Sequence, residues 1–495
     1  MGFRTNKQVI VIGAGLGGLS AAIRLAAAGY YVTVIEQQDS VGGKLQRIKL
    51  GDYSFDRGPS TITMRHAFER VFRAAGKQIE DYVTFYRLDE GTRNIFADGN
   101  TVDFTSNIEK VESQIAAYSP SDARQYRLFM KESALLYECA EKHFMNRLLL
   151  GWRDKADPRL LKALLRVRPF TTLNSLLLRY FKHPNTLALF GRYATYVGSE
   201  PMRAPAIFGM LPHLESALGV YGVRGGTYAI VEGFKRLAVE LGVDIRTSVK
   251  VKRIVTHGGR VSGVETDQGD LAAEFVLANG DVLAMNRELL QEQARPNMRD
   301  AKINSYEPSL SGFVLLAGIR QQYEQLLHHT VFFPEHYGSE FDDIFRNHRA
   351  ALDPAIYICN SSRSEPGMSP SGASNLFILA NAPYLSNSWE WGEQQDAYSE
   401  LLMEKLEQRG MTGLKSNVEA HTIYTPEQLR RDTSTYRGAI YGISSNSAGQ
   451  TFFRPSNRSR IKGLWFVGGT THPGGGTPMV TLSGQLVAEA IIDAL

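Results

Sequence analysis

Residues 11–18 read Val-Ile-Gly-Ala-Gly-Leu-Gly-Gly, between an apolar run at 9–12 and a helix-forming stretch at 19–28. Few local patterns restrict a fold so strongly. A strand that turns sharply needs a glycine such as Gly13, and backbone that approaches a pyrophosphate needs one such as Gly15. Gly18 lets the following helix pack against the strand, with Gly17 beside it in the same turn. The positive end of that helix then faces the phosphates. A second apolar run, 31–35, ends at Glu36, eighteen residues beyond Gly18. An acid at that distance accepts hydrogen bonds from ribose hydroxyls. The spacing therefore predicts a strand–turn–helix–strand unit of the doubly wound α/β type that binds a dinucleotide. The bland alternative for the glycines alone is a tight turn.

The fingerprint serves NAD and FAD alike, and the residues that follow favour FAD. Gly42-Gly43-Lys44 offers a second turn and a cation for phosphate charge, against the plainer reading of a surface loop with a solvated lysine. Gly58-Pro59-Ser60 forms a rigid loop suited to passing a flavin edge. Far downstream, a strand-like run at 464–467 leads into Gly468-Gly469-Thr470-Thr471-His472-Pro473-Gly474-Gly475-Gly476 and a helix predicted over 479–492. A helix start of this kind suits a ring carbonyl that gains negative charge on reduction.

In order along the chain, these motifs resemble the carotenoid (phytoene) desaturase family of flavoproteins. The likeness includes Phe55-Asp56-Arg57-Gly58-Pro59, Tyr196-Val197-Gly198, Gly222-Val223-Arg224-Gly225-Gly226-Thr227, Tyr424-Thr425-Pro426 and His472-Pro473-Gly474. It implies FAD as cofactor, held by Gly13, Gly15, Gly17, Gly18, Glu36, Gly43, Lys44, Gly58, Pro59, Ser60, Val251, Gly469, Thr477, Met479 and Val480. Arg437-Gly438-Ala439-Ile440-Tyr441-Gly442, Gly475 and Ser483-Gly484-Gln485 are similar to the diaponeurosporene oxygenase branch of C30 carotenoid synthesis. True desaturases resemble one another by alanine at the Gly475 position and Ser-Ala-Lys at 483–485. His472 departs from the oxygenase pattern, which has asparagine there, so desaturation stays open as an alternative.

The resemblance implies an apolar polyene substrate, oxidation of its terminal methyl groups to aldehyde, and neighbouring carotenoid-pathway enzymes as partners. FAD then carries the redox chemistry, and the oxygen comes from water added to a polyene cation or from O2. No metal-ligand spacing, Ser-His-Asp set or paired carboxylates stand out. Catalytic candidates are therefore few: His472 in the glycine loop, and Arg153 with Asp154. The plainer readings are a backbone-bonded histidine and a surface ion pair. Two further alternatives remain. One is a non-enzymatic isoprenoid carrier similar to the Rab GDP dissociation inhibitors. The other is an amine oxidase, for which no aromatic cage is legible.

Composition sets outer bounds. With 43% hydrophobic and 21% charged residues, 495 residues build a globular chain of two or three domains. A net charge of +4 gives no case for nucleic acid. Two cysteines, Cys139 and Cys359, suit a reducing cytoplasm. No signal peptide or membrane-spanning run is legible. Charge is concentrated instead: residues 141–184 hold ten Lys or Arg against three acids, a net of +7, interleaved with Leu, Trp and Phe. Such a segment suits an anionic membrane surface or, more plainly, an amphipathic helix on its own domain. The expected location is peripheral, on the cytoplasmic face.

The expected organisation is a discontinuous FAD-binding region of the Rossmann-like, glutathione-reductase or amine-oxidase type, at 7–75, 222–285 and 455–495. A helix-rich, membrane-associated insertion occupies 76–221, and a substrate sheet occupies 286–454. Strands are predicted at 243–255, 261–267, 274–277, 311–319, 355–359 and 375–380, with a loop over 361–374.

Overall fold

The computed structural model describes residues 7–151, 154 and 157–494. Its central layer is a five-stranded parallel sheet. The order is Leu464–Val467, Phe275–Asn279, Gln8–Ile12, Tyr31–Ile35 and Asp244–Arg246. Val9, Val11 and Val34 are buried beneath the helix Leu16–Ala27, which continues to the buried Leu25. The closing helix, Thr477–Asp493, lies beside that first helix, and only a glycine permits so close an approach. A Cβ on Gly484 would stand 2.2 Å from the carbonyl oxygen of Gly17.

The run predicted as one strand over 243–255 is two. Asp244–Arg246 closes the parallel sheet, and Val251–His257 starts a three-stranded antiparallel meander with Arg260–Thr266 and Gly269–Ala272. Between them Ser248 adopts a left-handed conformation, φ 56°, which turns the chain out of the first sheet.

A seven-stranded sheet forms the second layer. Val418–Tyr424 forms one edge, and the strand next to it, Ser311–Ile319, is buried at every position. Phe313 stacks on Trp391 of the helix Trp391–Gln408 at 5.1 Å, while Val314 and Leu316, pointing the other way, pack with Tyr53 and Phe55. Ser374–Ala382, Ile356–Asn360 and His329–Phe332 follow in order. The sheet then takes Thr92–Ile95 and Thr101–Phe104, so the segment 76–221 is not helical throughout. Both strands are only four residues long; the first is mostly polar, and the alternation of the second, with Val102 and Phe104 buried, is too brief to stand out. Arg93 donates to both carboxylate oxygens of Asp103, at 2.7 and 3.0 Å. Buried Asn94 donates to the Thr92 and Val102 carbonyls. A third short strand, Phe85–Arg87, pairs with Tyr221–Val223, and the remaining elements of this segment are helical, with a core that includes Phe129, Phe181 and Phe190.

Candidate active site

One cavity of about 620 Å³ extends from the parallel sheet into the helical segment and the second sheet. Gly13, Gly15 and Gly17 line it beside Glu36, and Gly43, Lys44, Gly58, Pro59 and Ser60 join them. Val251 lines it from the meander, and Gly469, His472, Thr477, Met479 and Val480 from the C-terminal loop and helix. Gly18 is not on the wall. It packs helix to strand, since a Cβ there would lie 2.2 Å from the Gly13 carbonyl oxygen.

Two helices start at this wall with no side chain capping them: the first after Gly15, the last after Gly476. Their leading N–H groups and positive dipole ends are therefore available to an anionic or polarised ligand. Glu36 accepts from Ala14 N at 2.8 Å and Gln38 N at 3.0 Å, one bond to each oxygen. Burial pushes its carboxyl pKa up, against the pull of those backbone donors. Each oxygen keeps a lone pair for a ribose hydroxyl. Asn279 Nδ2 donates to Gly13 O at 3.0 Å and steadies the first glycine turn. Asn457 Nδ2 donates to the carbonyls of Phe466 and His472 and steadies the second.

Lys44 is turned inward. Its Nζ donates to the Ile440 carbonyl, burial lowers its pKa to about 8, and the Asp281 carboxylate opposes that fall. A buried ammonium so weakly compensated suits an anionic ligand. Two uncapped helix starts, an acid with spare lone pairs and a buried cation together fit the adenosine, pyrophosphate and ring of FAD.

The catalytic candidates fare differently. His472 lies on the wall, but its Nε2 donates to the backbone carbonyl of Phe144 at 2.6 Å, tying the glycine loop to the helical segment. Asp154 does not line the cavity; it accepts from the N–H groups of Leu150 and Gly151 at 3.0 and 2.9 Å and closes a local turn. Arg153 lies outside the described residues.

The sequence assigned no site role to several wall residues. Tyr441 is held between two glycines: a Cβ on Gly198 would lie 2.7 Å from one ring edge, and one on Gly475 would lie 2.5 Å from the other. Arg454 is buried, donates to Ser445 Oγ at 2.9 Å and Gly469 O at 3.3 Å, and is lowered to about 10 by desolvation. Tyr193, Tyr196, Tyr337 and Tyr357 also reach the wall, so aromatic rings that were not legible are present. The Tyr357 hydroxyl bridges Ser60 Oγ at 2.6 Å and His329 Nδ1 at 2.7 Å. Although no metal spacing stood out, strand pairing sets His329 opposite Cys359, and ligand atoms of His328, His329 and Cys359 lie within 4.8 Å. Tyr357 and Ser364 already engage the Nδ1 atoms of the two histidines.

Fold and site define a flavin-dependent oxidoreductase. The chain belongs to the flavin containing amine oxidoreductase family, which matches residues 16–492. It is 36% identical over 498 residues to a 4,4'-diapolycopene oxygenase of Methylomonas sp, covering 99% of each chain. It is 33% identical to a 4,4'-diaponeurosporene oxygenase of Staphylococcus haemolyticus, covering 98% of this chain and 97% of the relative. Among solved structures, an oxidoreductase from Methanosarcina mazei aligns over 97% of this chain and 100% of its own, with TM-score 0.66 and 16% identity. Putrescine oxidase bound to putrescine aligns over 99% and 100%, with TM-score 0.67 and 13% identity. These two likenesses show the fold.

Proposed function

We propose that the protein oxidises terminal methyl groups of a C30 polyene, a diaponeurosporene or diapolycopene, through the alcohol to the aldehyde. The observation that carries this reading is the continuous cavity, which joins the glycine-lined cofactor wall to a wall of apolar side chains, among them Ile207, Phe208, Met210 and Leu214. A polyene has no polar handle along its length, so apolar contact must hold it. The activities named for the relatives agree with this reading. With water as the oxygen source, each round takes a hydride from carbon and one proton from oxygen, that of the added water in the first round and that of the alcohol hydroxyl in the second, and FAD when bound would supply the two-electron acceptor. The chain's part is positional. Gly13, Gly15, Gly17, Glu36, Gly43 and Lys44 hold the dinucleotide; Gly58, Pro59, Ser60 and Val251 line its path; Gly469, Thr477, Met479 and Val480 receive the ring. The apolar wall excludes bulk water from the reacting carbon. We assign the cofactor role to 7–75, 222–285 and 455–495. Substrate binding falls to 286–454 together with the strands and helices of 76–221.

We also propose contact with an anionic membrane surface through the basic segment. Its helix Pro158–Arg166 is anchored by buried Leu160 and Ala163, yet Leu161 and Leu165 are exposed on it, beside exposed Arg159, Lys162 and Arg166. Phe170, just beyond, is 93% exposed. An amphipathic helix serving only its own domain leaves no such second apolar face. Among the described residues no helix is long and apolar enough to cross a membrane.

The deciding experiment feeds purified, flavin-loaded protein a C30 polyene and weighs the product. Added oxygen supports methyl oxidation. Loss of two hydrogens alone makes the protein a desaturase, and an unchanged polyene overturns both. Labelled water against labelled O2, read in the alcohol before exchange, assigns the source of the oxygen. Pelleting with anionic and neutral vesicles tests the membrane contact; equal binding to both overturns it.

A further inference from the structure

Most polar side chains of the cavity wall are matched within the protein. Arg192 pairs with Glu215 at 3.3 Å and donates to the Tyr196 hydroxyl at 2.6 Å, and the Tyr193 hydroxyl donates to the same carboxylate at 2.6 Å. Tyr357 bridges Ser60 and His329, and Tyr424 donates to Asp432 at 3.0 Å. Tyr441 differs. Among the described residues its hydroxyl has no hydrogen-bond partner, although the residue stands deep in the protein on the cavity wall. Unlike the partnerless hydroxyl of Tyr126, which is sealed in the core, that of Tyr441 keeps open surface. The clamp on its ring explains this. A Cβ on Gly198 would lie 2.7 Å from Cδ2, and one on Gly475 would lie 2.5 Å from Cδ1, so both glycines hold the base of the ring and leave its hydroxyl end projecting. Burial pushes the phenol up to about 12, so it stays protonated and remains a donor.

The surroundings say what that donor meets. Gly475 belongs to the second glycine turn, while Leu310 and Ile440, bonded backbone to backbone beside Tyr441, line the cavity from the side of the second sheet. Tyr441 therefore stands where the cofactor wall joins the substrate wall, and the reacting carbon has to lie at that junction. Arg454 flanks the same turn, its Nε 3.8 Å from where a Cβ on Gly474 would stand, and among the described residues no carboxylate pairs with it. An uncompensated cation there favours the negative end of a C–O bond. We infer that Tyr441 holds the oxygen of a polyene end that has already been oxidised once, an inference that rests on the substrate reading above. The phenol donates to a lone pair of an alcohol or an aldehyde, and a methyl end offers none. A fixed oxygen orients the remaining C–H bonds of the carbon that carries it, which a smooth apolar wall cannot do. A ring carbonyl of FAD is the rival acceptor, but the uncapped helix start after Gly476 is available to that group.

The test compares flavin-loaded wild type with Tyr441→Phe, which keeps the clamped ring and removes only the hydroxyl. Dissociation constants are measured in detergent for three C30 polyenes that end in methyl, in CH2OH and in CHO. The affinity of the alcohol relative to the methyl compound should fall roughly 5-fold in the variant, the worth of one neutral hydrogen bond. The aldehyde should lose a similar factor, while the methyl compound and FAD bind both proteins alike. A relative affinity that is the same in both proteins overturns the inference. So does a variant that weakens FAD and leaves that ratio untouched, because the hydroxyl then belongs to the cofactor. A second measurement uses the infrared C=O stretch of the bound aldehyde. It should be red-shifted in wild type and return in the variant, and no shift in wild type overturns the inference even if the variant fails to fold. Failure of all three polyenes to bind removes the substrate reading and this one with it, whereas binding and turnover with an unchanged ratio remove only the role of Tyr441.

Discussion

The cofactor wall of the cavity is made of backbone, whereas the opposite wall between Arg192 and Glu215 is made of side chains, and the two obey different rules. On the first wall the decisive atoms are missing ones. Gly13 on the wall and Gly18 just behind it admit no Cβ because a carbonyl oxygen occupies its place, at 2.4 and 2.2 Å. On the second wall the decisive atoms come in partnerships, and each charge depends on another residue being present. A wall of absences fails at one position. A wall of partnerships fails when half of a pair is lost and tolerates the loss of both.

The largest effect should come from the first wall. Gly13→Val drives a side chain into the Asn279 carbonyl oxygen, which lies 2.4 Å from where its Cβ would stand. It should cost at least about 3 kcal/mol and yield protein without flavin, read as the ratio of flavin to protein absorbance. A fully loaded variant breaks the comparison. On the second wall Arg192→Ala strands the Glu215 carboxylate and should cost about 3–5 kcal/mol in denaturant unfolding. Replacing both residues by leucine should recover most of that loss, and no recovery means the two walls behave alike. Gly475→Ala tests where they meet, because its Cβ strikes the Tyr441 ring at 2.5 Å. A loss of about 1–3 kcal/mol is expected, relieved in a Tyr441→Leu background.

The smallest effect concerns Lys44, which with Glu36 is a charged side chain that the first wall does use. Its pKa is held near 8, below the ordinary 10.5. An anionic cofactor raises it again, so binding takes up a proton above pH 8. FAD affinity should then be flat below pH 7 and weaken between pH 8 and 10.5, by at most about tenfold per pH unit. Lys44→Met should flatten the profile in titrations of the apoprotein. An unchanged profile would place Lys44 away from the phosphates.

The same contrast explains what the sequence disclosed. Tyr31–Ile35, Ser311–Ile319 and Leu464–Val467 were legible as strands because apolar residues dominate each one. Glycine spacing announced the turn at Gly13 because an absent side chain leaves a fixed mark. Thr92–Ile95 was illegible because its buried side chains, Thr92 and Asn94, are polar, and the strand is tied in by partners such as Asp103 and Val102 that only the fold brings near. Arg192 and Glu215 are 23 residues apart, and Arg454 meets Gly469 from across a loop. No local rule pairs such residues. Asp154 drew attention as a charge in a basic segment, yet a turn of three or four residues accounts for its carboxylate.

The parallel sheet also sets a timetable for the protein's manufacture. Leu464–Val467 pairs with Phe275–Asn279, and the closing helix lies on the first one, so the second glycine turn reaches its place only after nearly all of the chain exists. At roughly 5–20 residues per second, the ribosome delivers the opening turn tens of seconds before its counterpart. Through that interval the nascent chain holds half a cradle, with the Gly17 backbone uncovered where Gly484 will sit. Flavin loading is therefore expected only once Thr477–Asp493 has been made and has packed on the first helix, and a chain that stops before Gly468 should fail to retain its cofactor, read as flavin absorbance of the purified truncated protein.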